Sequence, residues 1–186
     1  MRNLVITQNI TLDGVIDAAG DWFGPANDDD AWDESDLIQA QTEQREAADA
    51  FVVGRTTFEQ MRSYWPGQTD DTTGVSDYLN RVQKYVVSSR LEDSGGWEPT
   101  TILRGLDDVH ALKAQPGADI VVTGSLTLVR ELVPSGLVDE YRLFVYPVVV
   151  GAGRRLFEPG TELRTLETVE TRRFASGLVL LRYRVA

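Results

Sequence analysis

The stretch AFVVGRTTFEQMR, Ala50 to Arg62, decides the fold class of this 186-residue chain. Its first part, Ala50 to Gly54, is apolar and β-branched, which predicts a buried strand. Its second part, Arg55 to Arg62, has helical character, with Phe58 and Met61 on one side. A buried strand that runs through glycine directly into a helix is a unit typical of α/β sheets.

A second copy of this unit lies further along, in DIVVTGSL. Asp119 to Thr123 predicts an apolar strand, Gly124 and Ser125 form the turn, and a helix follows to about Val133. The first N–H groups of a helix are unpaired and carry the positive end of its dipole. Both turns therefore predict anion-binding sites at the carboxyl edge of the sheet, where α/β proteins bind ligands.

The side chains of the two turns suit such a role. Arg55 and Thr57 could bring a charge and a hydroxyl to one phosphate, and Ser125 a hydroxyl to another. The alternative is that these glycines and hydroxyl residues are ordinary turn and cap residues.

The rest of the chain predicts a single domain over residues 1–186, with a mixed, mostly parallel sheet, flanking helices and antiparallel C-terminal strands. A long polar loop, Thr11 to Asp36, is expected over the active site. Further strands are predicted at Asn3–Ile10, Lys84–Ser88, Thr101–Leu103, Val138–Val150, Glu162–Phe174 and Leu178–Val185. Helices are predicted from about Glu34 to near Ala48 and at Val75–Val82 and Asp107–Ala114.

The composition excludes several classes of function. The chain carries 29 acidic and 18 basic residues, a net charge of -11, which opposes binding to nucleic acid or to an anionic membrane. It has no cysteine and only one histidine, His110, which is expected to be solvated, so no metal site is predicted. Without a signal segment or an apolar run of membrane length, a cytoplasmic protein is expected.

Several different short motifs follow one another along the chain in a characteristic order. They are Thr11–Gly14 (TLDG), Gly54–Glu59 (GRTTFE), Tyr64–Pro66 (YWP), Val86–Leu91 (VVSSRL), Gly124–Ser125, Gly136–Tyr141 (GLVDEY) and Pro147–Phe157 (PVVVGAGRRLF). This order resembles the dihydrofolate reductase-like superfamily, in particular the branch with the reductase domain of the riboflavin-biosynthesis deaminase/reductase. The resemblance covers nearly the whole chain and implies a three-layer α/β fold.

The resemblance also implies a cofactor, NADPH, because the two glycine turns bind the cofactor diphosphate in that superfamily. Carried over, the diphosphate residues are Gly54, Arg55, Thr57, Thr123, Gly124, Ser125 and Leu126. The adenosine 2′-phosphate would lie near Ser88, Ser89 and Arg90, together with Arg55, which favours NADPH over NADH. Arginine forks and hydroxyls are suitable phosphate donors.

Hydride transfer to a C=N or C=O bond also needs a proton for the heteroatom. Dihydrofolate reductases use a carboxylate near the start of the first helix, and Asp33 is the candidate here, with Asp36 as a second possibility. Asp33 lies four residues before Leu37 and could share its helical side. The alternative is that Asp33 belongs to a solvated acidic run that favours the helix N-terminus.

Candidate substrate-binding residues are drawn from turns and aromatics: Asp13, Phe58, Trp65, Gly151 and Gly153, with Trp22 and Trp32 as further aromatic candidates. Asp13 could instead cap its own turn, the aromatics could be core, and the glycines could mark a bulge. Arg154 and Arg155 are available to bind a ribose phosphate, the substrate group of the riboflavin enzyme.

Three functions remain open. The first is an NADPH-dependent reductase of a small pteridine-like, pyrimidine-like or other unsaturated substrate, related to 5-amino-6-(5-phosphoribosylamino)uracil reductase. The second is an NADPH-binding module that is non-catalytic or regulatory. The third is a structural domain that dimerises through its C-terminal strands, and a homodimer is expected in any case.

Overall fold

The computed structural model describes residues 1–17, 22, 33–162 and 165–186. The strands within these ranges are β1 Leu4–Thr11, β2 Ala48–Gly54, β3 Gln83–Val87, β4 Thr100–Leu103, β5 Asp119–Thr123, β6 Glu140–Tyr146, β7 Leu166–Arg173 and β8 Val179–Val185. The helices are α1 Ser35–Glu46, α2 Arg55–Tyr64, α3 Val75–Arg81, α4 Leu106–Ala114 and α5 Leu126–Ser135, with a 3-10 turn at Trp65–Gly67.

The strands form one sheet in the order β4-β3-β2-β5-β1-β6-β8-β7. Every neighbouring pair from β4 to β6 is parallel, whereas β8 lies antiparallel to both β6 and β7. Helix α5 forms the crossover that returns the chain before β6, so β6 still runs parallel to β1 and antiparallel pairing starts at β8. The predicted mixed sheet with antiparallel C-terminal strands is confirmed.

Two predicted strands are shorter than their β-rich sequence. The run from Val138 gives a strand that ends at Tyr146, because Pro147 has no N–H to donate to the ladder. Strand β7 begins at Leu166, after a turn in which the amide of Thr161 donates to the carbonyl of Glu158 at 3.1 Å.

The central strands are buried on both faces, as their apolar sequence predicts. In β1, Leu4, Val5 and Ile6 are fully buried. Helices α4 and α5 pack on one face of the sheet. On the other face, α2 and α3 pack on β2 and β3, while α1 packs on β6 and β8. A groove is left between α1 and the α2–α3 pair, over β1 and β5.

The outer surface bears on several expectations. Strand β7 forms one edge of the sheet, and its pairing across a two-fold axis stays a prediction. His110 is exposed on α4. In the part of the chain that the structure describes, no helix has the length and apolar character needed to cross a membrane.

Candidate active site

Two strand-to-helix turns lie side by side at the carboxyl edge of the sheet. The hydroxyl oxygen of Ser125 accepts a hydrogen bond from the Gly54 amide at 2.6 Å, and the Thr57 hydroxyl oxygen accepts one from the Ser125 amide at 2.9 Å. The two turns are thus joined into one unit, although their residues are far apart in sequence. Each hydroxyl uses its oxygen in these bonds and keeps its own O–H to donate to a ligand.

Both glycines of this unit are required by close packing. A Cβ at Gly54 would lie 3.0 Å from the Ser125 hydroxyl oxygen, and one at Gly124 would lie 3.0 Å from Cγ2 of Thr57. Gly124 also has a φ of 66°, and Ser125, at 59°, has the left-handed conformation that side chains rarely adopt. The fold therefore packs both turns closely and holds the second one, at Ser125, in a strained conformation of the kind that is common at ligand sites.

A cavity of about 570 Å³, the turn cavity, opens onto these turns. Helices α2 and α5 both begin at its wall, and neither has a side-chain cap on its first N–H groups. Those donors are thus available to an anion. The lining of the turn cavity consists of Gln8, Ile16, Asp17, Gly54, Arg55, Thr56, Thr57, Gln60, Val87, Gly124, Ser125, Leu126, Thr127, Leu128, Glu131 and Arg154.

A second cavity of about 440 Å³, the groove cavity, occupies the groove between α1 and the α2–α3 pair. Gln8, Ile16 and Gly124 line both cavities, so the two adjoin at this point. The lining of the groove cavity is mostly apolar and aromatic, with neutral polar groups. It consists of Thr7, Gln8, Asn9, Ile16, Gln41, Gln44, Arg45, Phe51, Met61, Trp65, Val75, Tyr78, Leu79, Val121, Thr123, Gly124 and Phe144.

The predicted diphosphate residues are thus brought together, with one difference: Thr123 lines the groove cavity and not the turn cavity. The residues predicted to bind the 2′-phosphate lie at the rim of the turn cavity. Val87 at the end of β3 lines the turn cavity, while Ser89 and Arg90 are exposed beyond it. Ser88 is buried and its hydroxyl accepts from the amides of Arg90 and Leu91 at 3.1 and 2.9 Å, so its contact with the 2′-phosphate stays a prediction.

Asp33 is an exposed residue that precedes α1 and lies outside the lining of both cavities. Its carboxylate accepts from the Ser35 amide at 2.9 Å, and bonds from the hydroxyl and amide of Ser35 hold its pKa below the ordinary value. An exposed carboxylate that stays ionised is a poor proton donor, so this placement corrects the catalytic assignment. The second candidate, Asp36, accepts from the Ala175 amide at 2.8 Å, at the β7–β8 hairpin.

Asp13 binds the loop that follows β6. Its carboxylate accepts from the Thr11 hydroxyl at 2.7 Å and from the amides of Val150 and Gly151 at 3.2 and 2.9 Å. These bonds, that of Thr11 above all, lower the pKa of Asp13 to about 2. The carboxylate is thus committed to the loop, which corrects its assignment to the substrate.

We expect Asp13→Ala to loosen this loop, because the Val150 and Gly151 amides lose their shared acceptor. Amide hydrogen exchange should become faster at these two residues. Asp71→Ala is the matched control, since Asp71 also accepts from local donors, those of Thr73 and Ser76, and its pKa is also lowered to about 2. Unchanged exchange at Val150 and Gly151 in Asp13→Ala would contradict the assignment.

The two glycines of that loop, Gly151 and Gly153, have different surroundings. A Cβ at Gly153 would lie 2.7 Å from Cγ1 of Val15, and the Ile16 amide donates to the carbonyl of Arg154 at 2.9 Å. Gly151 is exposed, with a φ of 79° and open space where its Cβ would be. The close approach that requires Gly153 is therefore to Val15, which corrects its assignment to the substrate.

The predicted aromatic candidates separate into core and cavity. Phe58 is fully buried and stacks on Trp97 with ring centroids 5.5 Å apart, so it is a core residue and its assignment to the substrate is corrected. Trp65 lines the groove cavity. Trp22 lies edge-on to Tyr146 at 5.3 Å, and Trp32 lies outside the described residues.

Several residues that line the groove cavity are not among the predicted site residues, above all Phe51, Phe144, Gln41 and Gln44. Alternation within the strands was the available signal for the two phenylalanines, since each shares a face with the neighbouring polar positions of β1. The two glutamines lie three residues apart on α1, a spacing that places side chains on one face.

Arg154 and Arg155 are both bound to the loop that follows β1. Arg154 donates from Nε to Asp17 at 2.8 Å, and this bond raises the pKa of its guanidinium. Arg155 donates to the carbonyl oxygen of Asp13 and lies 3.6 Å from its carboxylate. The predicted phosphate-binding arginines thus have acidic partners within the protein.

The parallel sheet with an antiparallel edge and the paired turns at its carboxyl end define a dihydrofolate reductase-like protein. Within that class, the chain belongs to the RibD C-terminal domain family, which it matches over residues 2–180. The family supports a reductase-like role.

Relatives and solved structures agree with this placement. The chain is 30% identical over 184 residues to the uncharacterized protein YyaP of Bacillus subtilis, covering 98% of this chain and 94% of that one. It is 26% identical over 183 residues to YwjB of the same organism, covering 96% of each. A crystal structure assigned to riboflavin biosynthesis in Shewanella sp. PV-4 has a TM-score of 0.69 at 18% identity, with 99% of each chain covered. A pyrimidine reductase-like protein of Corynebacterium diphtheriae has a TM-score of 0.61 at 18% identity, with 99% and 92% covered.

Proposed function

We propose that this protein is an NADPH-dependent reductase of a small unsaturated ring compound. The observation that carries the proposal is the joined pair of turns, with Gly54 and Ser125 bonded at 2.6 Å, at the point where two cavities meet. The turn cavity would take the dinucleotide, and the groove cavity the substrate.

The turn cavity fits a diphosphate. A Cβ on Gly54 or Gly124 would press against the facing turn, so glycine at both positions lets the two turns approach each other and share one wall of the cavity. The first N–H groups of α2 and α5 and the hydroxyls of Thr57 and Ser125 supply donors, and the half-exposed Arg55 supplies charge. Arg55 lies 3.8 Å from Glu59, a loose pair that a phosphate can replace.

The choice of NADPH over NADH depends on the rim of the turn cavity. The chain leaves β3 at Val87, which lines the cavity, and continues through Ser89 and Arg90, which are exposed. Arg90 and Arg55 are the guanidinium groups that would bind a 2′-phosphate. Membership of the RibD C-terminal domain family and the two arginines support NADPH over NADH.

The chemistry that we propose for the site is the addition of one hydride and one proton to a C=N or C=O bond, two electrons and two protons in all. Bound NADPH supplies hydride, which is added to the carbon while the heteroatom takes a proton. Gln8, Ile16 and Gly124, which line both cavities, would position the reacting rings against each other. Among the described residues that line the groove cavity there is no carboxylate, so we assign the proton to a water held by the neutral amide of Asn9.

A second candidate function is NADPH binding without turnover. The observation that favours it is the same lack of a carboxylate in the described lining of the groove cavity. Consumption of NADPH in the presence of a ligand of the groove cavity decides between the two, because a binding module leaves the absorbance at the reduced nicotinamide band constant.

We expect Arg55→Ala to weaken NADPH binding about tenfold to a hundredfold, since a hydrogen bond to a charged group contributes about 1.5–3 kcal/mol. The measurement is a titration with NADPH followed by tryptophan fluorescence. Arg81→Ala is the control, because Arg81 is exposed at the end of α3 and lies outside the turn cavity. A wild-type protein without saturable NADPH binding would overturn the proposed function.

A further inference from the structure

The groove cavity is lined by polar groups that are almost all uncharged. Thr7, Asn9 and Thr123 lie on the strands at its floor, and Gln41 and Gln44 lie on α1. Hydroxyl and amide groups both donate and accept, so they match a ligand edge in which a carbonyl and an N–H lie next to each other. They do not compensate a phosphate dianion.

The one charged side chain in the described lining is Arg45, and it is already engaged. Its Nη2 donates to the Thr42 hydroxyl at 2.7 Å and to the carbonyl of Thr73 at 2.9 Å. The negative charges of Asp71 and Glu46 also lie close enough to interact with it. Arg45 therefore joins α1 to the α2–α3 connection and does not form a phosphate site.

The cations near the cavity rim are engaged as well. Arg154 is paired with Asp17 at 2.8 Å, so a phosphate would have to displace that carboxylate, whereas Arg155 donates to the carbonyl oxygen of Asp13 and lies a looser 3.6 Å from its carboxylate. The segment 18–32 contains no lysine or arginine, so it brings no cation to the site wherever it lies. Arg164 is the one cation of the chain outside the described residues.

One amide of the lining has spare bonding capacity. The Gln44 side-chain oxygen accepts from the Thr7 hydroxyl at 2.9 Å. Its nitrogen, Nε2, is buried and has no hydrogen-bond partner. A buried donor without an acceptor costs about 1–3 kcal/mol, so an acceptor supplied by a ligand would recover that cost.

Flat side chains complete the cavity. Trp65, Phe51, Tyr78 and Phe144 contribute four aromatic rings to its lining, together with Met61 and the aliphatic Leu79. Such a wall favours a planar ring over a flexible or strongly hydrated group.

Building on the proposed reductase, we infer that its substrate is an uncharged, planar ring compound with a lactam or amide edge, carrying no phosphate, and that Gln44 reads this edge. The neutral lining, the engaged arginines and the unpaired amide of Gln44 support this class. The inference departs from the phosphorylated substrate that the family resemblance implies.

The experiment compares two ligands that differ only in a phosphate, 5-amino-6-(ribosylamino)uracil and its 5′-phosphate. Each is titrated by calorimetry into protein saturated with NADP⁺, which prevents turnover. We expect the uncharged ligand to bind at least about tenfold more tightly, since the neutral lining does not compensate the charge of a phosphate and Arg154 is already paired with Asp17. Tighter binding of the phosphate, or no binding of the uncharged ligand, would overturn the inference.

Variants of α1 test the role of Gln44. Gln44→Glu keeps an acceptor for Thr7 and removes the donor, and we expect it to weaken binding of the uncharged ligand about fivefold or more. Gln39→Leu is the matched control, because Gln39 is exposed on the same helix. We expect this variant to bind the ligand with wild-type affinity. Equal affinity of Gln44→Glu and wild type would overturn the assignment of Gln44.

A titration with NADP⁺ precedes both comparisons and distinguishes a failure of the proposed function from a failure of the inference. Protein that fails to bind NADP⁺ overturns the proposed function, and the inference with it. Protein that binds NADP⁺ but prefers the phosphorylated ligand overturns the inference and leaves the proposed function in place.

Discussion

Gly54→Val is expected to weaken NADPH binding by about a hundredfold while the sheet remains folded. At Gly54 a Cβ would lie 3.0 Å from the Ser125 hydroxyl oxygen and 3.1 Å from its Cβ, and valine adds two more carbons. The backbone of Gly54 is extended, with φ of -84°, so valine meets no backbone strain there and the effect is purely steric. The clash pushes the two turns apart and breaks the bond that joins them. Overpacking of this kind costs about 1–3 kcal/mol, the equivalent of up to about a hundredfold in affinity.

Gly105→Val is the matched control for this variant. Gly105 also lies immediately before a helix, α4, and also has an extended backbone, but a Cβ there would meet nothing within 4 Å. Fluorescence titration with NADPH should therefore give wild-type affinity for Gly105→Val, and circular dichroism should show an intact fold for both. Wild-type affinity in Gly54→Val would mean that the dinucleotide does not use the turn cavity.

The turns of this site were predictable from sequence because they are local. A strand that ends in glycine and continues as a helix is decided by residues that are adjacent in the chain, as in Gly54–Arg55 and Gly124–Ser125. The bond between Gly54 and Ser125 was not predictable in this way, since it joins residues 71 positions apart and depends on β2 lying next to β5. The sequence predicts each turn but not the order of the strands that brings them together.

The wrong prediction at Asp33 has a specific cause. Helical spacing placed Asp33 on the same side as Leu37, but α1 begins at Ser35, so Asp33 precedes the helix and the spacing does not apply to it. Because helix starts are the least certain feature of a periodic pattern, a residue at the boundary can be placed on the wrong face. Asp33 instead accepts a bond from the Ser35 amide just inside the helix.

Phe58 and the groove cavity show a second limit. An apolar face on α2 predicts burial, but the same pattern describes a core residue and a cavity wall. Phe58 is core because Trp97, from a distant connection, stacks on it. In β1, Thr7 and Asn9 alternate with buried residues, yet they border a cavity because none of the described helices covers the space above them. This opening depends on how α1 and α3 are spaced across the sheet.

We expect the free energy of unfolding to rise between pH 8 and pH 10, because Lys84 is fully buried and, among the described residues, the charge of Glu98 only partly offsets this burial. Its Nζ donates to the carbonyls of Leu79 and Val82 at 2.8 and 3.1 Å and lies 4.8 Å from the centre of the Trp97 ring. Burial lowers the pKa of Lys84 from 10.5 to about 8. Above pH 8 the folded protein therefore loses this proton, while the unfolded chain keeps it up to pH 10.5. Since the unfolded state then binds more protons, stability rises by up to about 1.4 kcal/mol per pH unit.

The upper limit of the window is set by Tyr78, whose pKa burial raises from 10.0 to about 12, so that stability falls again as the pH rises above 10. Urea unfolding at pH 7, 8, 9 and 10 measures the slope. Lys84→Met is expected to abolish it, whereas Lys113→Met, which removes the other lysine of the chain, should keep it because Lys84 remains. A wild-type protein whose stability is constant or falls from pH 8 to pH 10 would show that the Lys84 ammonium is as well accommodated by its two carbonyls and the Trp97 ring as it is by water.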